Sequence, residues 1–216
     1  MAVIDVRPYR PADRAELVRT VFEAAAQGAP GSQAWGHPPS VADVYLTPYL
    51  DLEPESAFVV TADGRPAGYL VGCVDDARFP SEEERLRSVR RAHHLWRRPE
   101  PRRFFLRAAY DTAVCRVRRI PTAGGLSDPR WPSHLHIDLM PVARGTGAAS
   151  RLMELWLDRL REVGSPGCYL QTSAENERAI RFFESVGFRR HGATPVVPGS
   201  RYAGGRMHQQ DMVREV

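Results

Sequence analysis

Residues 133–150 read SHLHIDLMPVARGTGAAS, and the fold turns on them. From Ser133 to Leu139 polar and apolar residues alternate, with Leu135, Ile137 and Leu139 on one side, which is the period of a strand. Pro141 closes it, a glycine loop follows at 144–147, and 148–163 resumes with apolar residues at helical spacing. In that order the backbone N–H groups of the loop and the helix N-terminus converge on one point, where an anion belongs. Glycines let the main chain approach a pyrophosphate, and the unpaired amides of a first helical turn donate without a basic side chain. Arg144 adds a charge. A Gly-x-Gly step before a helix can also be a tight turn that merely starts the helix, so context must decide. The dinucleotide fingerprint wants a third glycine and an acidic residue ending the next strand; here that strand runs out through Gln171-Thr172-Ser173. A P-loop would need a Gly-Lys-Ser/Thr ending, which is absent.

Working outward, a strand at 167–172 and a helix at 176–186 complete a β-α-β-α unit. Strands at 189–194 and 208–213, joined by a polar, Gly-rich loop over 195–205, close the chain. Upstream come a strand at 2–8 and a helix entered at Pro11-Ala-Asp13, with Leu17, Val18, Val21 and Phe22 at helical spacing. A Gly- and Pro-dense loop, 27–39, carries Trp35 and His37, and a short helix is expected over 41–50. Asp63-Gly64 joins strands 56–61 and 67–74 as an antiparallel hairpin. These elements predict an α/β (α+β) fold: a mixed, mostly antiparallel central sheet flanked by helices.

The length of 216 residues, 43% hydrophobic and 26% charged, fits a single domain over 1–216 with a real core. Collagen-like, mucin-like and disordered readings fail on composition, and no internal repeat is visible. Cys73, Cys115 and Cys168 lie far apart in apolar stretches, as reduced core thiols do, and no metal is expected. The charged opening MAVIDVRPYR is no signal peptide, and no run of about 18 apolar residues occurs, so a cytoplasmic protein with no membrane contact is expected. All thirty basic residues are Arg. Residues 78–119 hold thirteen of them against five acids, leaving seventeen against twenty-one elsewhere, within a net charge of +4. This helical insertion, 77–131, with helices expected at 82–96 and 103–117, admits three readings: a lid over the acceptor site, a surface for an acidic partner or nucleic acid, or solvated helix faces. The last is the plainest. Nucleic acid is not expected, because Glu82, Glu83 and Glu84 open the segment, its arginines come singly or in pairs, and no zinc or RNA-binding signature occurs.

Leu139-Met-Pro141 and Arg144-Gly-Thr-Gly147-Ala-Ala149, with Asn176, Ala179, Phe182-Phe183 and Gly187-Phe188 downstream, resemble the two signatures of the GNAT acyl-CoA N-acyltransferases. Arg7-Pro8, Asp13 and the Asp63-Gly64 hairpin look like that family's first half, with 77–131 outside the pattern. Leu46-Thr-Pro-Tyr-Leu50 and the stretch 68–75 look similar to the acetyltransferase-like domain attached to O-GlcNAcases, of which this chain would be a stand-alone bacterial-type relative. The resemblance implies acetyl-CoA as cosubstrate and direct transfer to an amine, on a small molecule, a protein lysine or an N-terminus. It implies that the backbone of Leu139 and Met140 serves the pantetheine arm and thioester. Arg144, Gly145, Thr146, Gly147, Ala148, Ala149 and Ser150 would then hold the pyrophosphate, with Asn176 near the thiol. The family commonly has Tyr at Phe183, whose hydroxyl would protonate the departing thiolate; water or Tyr202 would have to replace it.

The attacking amine must be neutral, yet an alkyl ammonium titrates near pH ~10.4, so a base is needed. Strand alternation puts His134, His136 and Asp138 on one face of 133–139. A polar face on a central strand suggests a cleft. Asp138, nearest the strand end, is the first choice of base and His136 the second, for an imidazole suits proton transfer near neutrality. The alternative is that the histidines are satisfied structural residues. A different functional class, a catalytically weak or inactive acyl-CoA-binding or protein-interaction module, is motivated by Phe183; an Arg-rich binder of nucleic acid or acidic protein is the third.

Overall fold

The computed structural model describes residues 2–26 and 35–216, with the side chains of 21–26 left aside, so the expectations for Val21, Phe22 and the loop over 27–34 lie outside the described residues. Strand β1 (Ile4–Pro8) leads through a short turn into α1 (Arg14–Ala26). Both Asp13 oxygens accept from the Arg7 guanidinium, at 2.8 and 2.7 Å, and one also takes the Arg10 N–H, fixing the helix entry to the strand end.

The single helix expected over 41–50 is two, α2 (Pro38–Tyr45) and α3 (Thr47–Leu52). Pro48 has no N–H for the helix ladder and its ring crowds the preceding turn, so the chain breaks at Leu46 and restarts with the proline in a first turn, where it is tolerated. Strands β2 (Ala57–Ala62) and β3 (Arg65–Cys73) meet at Asp63-Gly64, whose φ values of 50° and 78° give the turn whose twist suits a hairpin. Helices α4 (Glu82–Ala92) and α5 (Pro99–Arg118) follow, the first started by a reciprocal Ser81–Glu84 cap. Then come β4 (Ser133–Leu139), α6 (Ala148–Glu162), β5 (Gly167–Ser173) and α7 (Glu177–Ser185).

The polar loop expected over 195–205 is instead largely a strand. After β6 (Arg189–His191), β7 (Val196–Tyr202) turns through Ala203-Gly204 into β8 (Gly205–Glu215). Tertiary partners outweigh its polar composition: Gly199 N–H donates to Asp111 on α5 at 2.9 Å, and its carbonyl accepts from Arg107 at 2.7 Å.

The sheet runs β1-β2-β3-β4-β5-β8-β6, with β7 also along β8. Every pairing is antiparallel except β4 with β5. Helices α6 and α7 cover one face through Leu152, Trp156, Leu160, Ile180 and Phe183 against Leu70, Leu135 and Leu170. Fully burying one such aliphatic side chain contributes about 2 kcal/mol. On the opposite face Leu17, Leu46 and Tyr49 pack on Val59, Tyr69 and Val71. A third cluster joins α2 to α4 and α5 through Trp35, Val44, Val89, Phe104 and Phe105. Of the thirteen arginines in 78–119 Arg85 alone is buried, and the other twelve are exposed. Among the described residues no helix is long and apolar enough to cross a membrane.

Candidate active site

The glycine loop has the conformation an anion cradle needs. Gly145 and Gly147 have φ of 75° and 86°, in the region that disfavours side chains, and a Cβ at either would meet nothing within 4 Å, so the space before them is open. Gly147 caps α6 without a side-chain bond, and the amides of Ala148, Ala149 and Ser150 begin the first turn, where no helical carbonyl precedes them. Thr146 Oγ1 braces the loop on Ala143 O at 2.7 Å. Arg144, expected on the pyrophosphate, turns its Nε back to Leu139 O at 2.9 Å and locks the loop to the end of β4.

Beside this loop the sheet opens. Parallel pairing of β4 and β5 is confined to Ser133 with Cys168 and His134 with Tyr169, after which the strands part. Met140 N–H donates to Ala67 O at 2.8 Å, which sets the antiparallel alternation on β4. By that alternation Asp138 and His136 bond toward β3, whereas the N–H and C=O groups of Ile137 and Leu139 point into the gap. Of the two residues expected to serve the pantetheine arm and thioester, Met140 has its N–H committed to β3, and Leu139, with Ile137, presents the open edge.

Asn176 caps α7, its Oδ1 accepting Ala179 N–H at 3.2 Å. Phe183 is buried against Phe182 and Phe188. Tyr202 stands exposed at the β7–β8 turn. Trp35 is a packing anchor, its Nε1 donating to Ser40 Oγ at 2.6 Å.

The polar face of β4 is realised as the alternation predicts, and it gathers residues the sequence did not single out. Asp138 Oδ2 accepts from the Tyr69 hydroxyl at 2.9 Å, across the β3–β4 register. Burial pushes the Asp138 carboxyl up to about 6, against the Tyr69 bond and the Arg144 charge, which pull it down. His136 bonds the Tyr49 hydroxyl at 3.0 Å and meets the Tyr45 ring edge-on. Its burial, reinforced by His134 and Arg85, holds the imidazole well below its ordinary value and so neutral. The Tyr49 hydroxyl also lies 2.5 Å from His134 Nε2 and accepts from Arg85 Nη1 at 3.1 Å. Asp76 bonds His134 Nδ1 with one oxygen and accepts from Tyr169 at 2.8 Å with the other. Cys73 joins Asp76 and His134 within 4.8 Å, a grouping a metal could use, but the Asp76 oxygens and both His134 ring nitrogens already bond protein partners, and burial pushes the Cys73 thiol up to about 12. The signal for Tyr49 lay in the Leu46–Leu50 stretch; Tyr69, Asp76 and Arg85 needed the register across 77–131, which no local pattern encodes.

The profile of the acetyltransferase (GNAT) family matches residues 74–188. The chain belongs to that family. The matched range spans the helical segment 77–131. An uncharacterized N-acetyltransferase of Mycobacterium bovis is 30% identical over 133 residues, 61% of this chain and 77% of the relative. A mycothiol acetyltransferase of Nocardiopsis dassonvillei is 31% identical over 93 residues, 41% of this chain, and the match spans only 28% of that enzyme's length. Two solved structures share the GNAT fold: SsHAT, with a TM-score of 0.62 at 24% identity over 98% of both chains, and yncA of Salmonella typhimurium, solved with acetyl-CoA, with 0.58 at 15% over 98% and 93%.

Proposed function

We propose that this GNAT protein is an acetyl-CoA-dependent N-acetyltransferase of the cytoplasm, transferring acetyl directly to an amine of a small molecule or protein. The observation that carries the reading is the parting of β4 from β5 beside a glycine loop and helix N-terminus. Such a gap suits a pantetheine arm, whose amides would complete the open edge at Ile137 and Leu139, while the loop amides meet the pyrophosphate. Leu139 N–H would then donate to the thioester oxygen as it gains charge, and one such donor is worth about 3 kcal/mol in a dry site. Asp138 would meet the ammonium first and, with His136 deeper on the same face, offer the proton acceptors. Asn176, with Oδ1 given to its cap, would reach the thiol only through Nδ2. Kinship with the domain attached to O-GlcNAcases rests on Leu46-Thr-Pro-Tyr-Leu50, which builds α3 and sets Tyr49 at the centre of the polar face.

Phe183 favours a second reading, an acyl-CoA-binding module with little turnover, because that buried ring has no proton for a thiolate. Calorimetric titration with acetyl-CoA, followed by thiol release with a panel of amines, separates the two. Binding with amine-dependent release is expected; binding without release leaves the module, and no binding removes both.

A further inference from the structure

The hydrogen bonds around Tyr49 have a direction. Asp76 accepts from Tyr169 with one oxygen and bonds His134 Nδ1 with the other. A carboxylate only accepts, so the proton of that second bond sits on Nδ1, and with one proton on the ring His134 Nε2 is an acceptor. Its neighbour at 2.5 Å is the Tyr49 hydroxyl, which must donate. A hydroxyl has one proton, so the same oxygen accepts from its two remaining neighbours, Arg85 Nη1 at 3.1 Å and His136 Nε2 at 3.0 Å. For a His134 that carries one ring proton, Arg85, which only donates, and Asp76, which only accepts, set the order of the bonds between them. His136 therefore carries its hydrogen on Nε2 and presents a bare Nδ1, to which no described residue bonds.

We propose that Tyr49, His134 and Asp76, oriented by Arg85, form a relay that holds His136 with Nδ1 unprotonated and conducts the acceptor amine's proton from the transfer site to solvent. The inference rests on the acetyltransferase reading. The bound ammonium first gives one proton to His136 Nδ1, while the Nε2 proton passes to Tyr49 oxygen and the Tyr49 proton to His134 Nε2. The neutral nitrogen then bonds the thioester carbon, the C–S bond breaks, and the nitrogen's second proton passes through solvent to the departing thiolate. Of the two protons the nitrogen loses, one arrives at the His134–Asp76 pair and one ends on the thiol. No cation stays on buried His136, where desolvation would penalise it; the charge comes to rest beside the Asp76 side chain, which is 29% exposed. Asp138, at the strand end, attracts and orients the ammonium, and His136 removes the proton.

The groups facing the relay are Tyr45 and Tyr49 from α2 and α3, Arg85 from α4, Cys73 and Asp76 from β3 and the turn after it, and Tyr169 from β5, with Glu82 reached through Tyr45 at 2.7 Å. Tyr49→Phe keeps the ring against Phe79, 4.5 Å away, and removes only the hydroxyl; Asp76→Asn is the second variant. With an alkylamine, each should lower kcat on the order of a hundredfold at neutral pH and recover as pH rises, with KM for acetyl-CoA unchanged. With an arylamine or hydrazine already neutral in the assay, the loss should be less than about twofold. Equal losses on both amines, or none on the alkylamine, overturn the relay. Long-range proton–nitrogen spectra of the histidine-labelled protein, which need no turnover, should show His136 protonated on Nε2; a proton on Nδ1 instead overturns the order of bonds. Wild-type protein that releases no thiol with any amine would sink the acetyltransferase reading, while the spectra still decide the proton order.

Discussion

Asp138 is costly to bury and its cost has a sign. Its folded-state carboxyl is raised to about 6, so the folded protein holds a proton that the unfolded chain has released, and stability is lost as pH rises from about 4 through 6. Asp138→Asn should therefore gain stability relative to wild type at pH about 8 and not at pH about 4, in paired urea titrations, while losing on the order of a hundredfold in kcat/KM for the amine and keeping acetyl-CoA affinity. The same value predicts that kcat/KM of the wild type falls below pH about 6 as the carboxylate is protonated. Gly147→Glu should abolish acetyl-CoA binding by calorimetry; Gly147→Ala, which carries only the strain of a side chain at φ 86°, about 1–2 kcal/mol, should weaken it far less. Asp138 and His136 were legible because a period of two places them together whatever else the chain does. Tyr69 and Arg85 were not, because a hydroxyl and a guanidinium become parts of a site only when β3 and α4 are brought against β4.

Among elements, α5 is attached to β7 through Asp111 and Arg107, and Asp111 makes most of the bonds. Asp111 is fully buried and takes both Arg201 nitrogens, at 2.7 and 2.9 Å, with the Gly199 N–H. Burial alone would raise this carboxyl, but Arg201, Gly199 and Arg206 more than offset it and hold it below the usual range. A depressed carboxyl stabilises the fold above its unfolded value, near pH ~4, and the contribution is lost as pH falls further. Asp111→Ala should cost about 2 kcal/mol at neutral pH, less than a wholly buried pair because the Arg201 side chain is 27% exposed, and the difference from wild type should shrink in acid unfolding curves. This contact also explains why β7 escaped the sequence: its polar, glycine-bearing residues read as a loop until α5 supplies partners. The break at Leu46 was readable in principle from Pro48, whereas the strand–loop–helix at 133–150 was plain because alternation, glycines and helical spacing follow one another without a gap.

At the scale of the molecule, a ligand bridging the β4–β5 gap binds only the folded chain, so acetyl-CoA at about a hundred times its Kd should add about 2.7 kcal/mol of stability in denaturant titrations. The chain has no lysine among its thirty basic residues. Incubated with acetyl-CoA, it should gain no side-chain ε-acetyl group by mass spectrometry, so any lysine acetylation in a mixture belongs to another protein.

The pairing of β3 with β4 from Gly68–Leu139 to Cys73–His134 joins neighbours in the sheet that residues 74–132 separate in sequence. During synthesis β3 leaves the ribosome long before its partner strand exists. Helices α4 and α5 can form on local bonds, but the apolar edge Gly68–Cys73 stays open until the chain loops back, and such an edge pairs with whatever strand it meets. Nascent chains stalled within 74–132 should aggregate or hold a chaperone, and release should follow soon after β4 emerges.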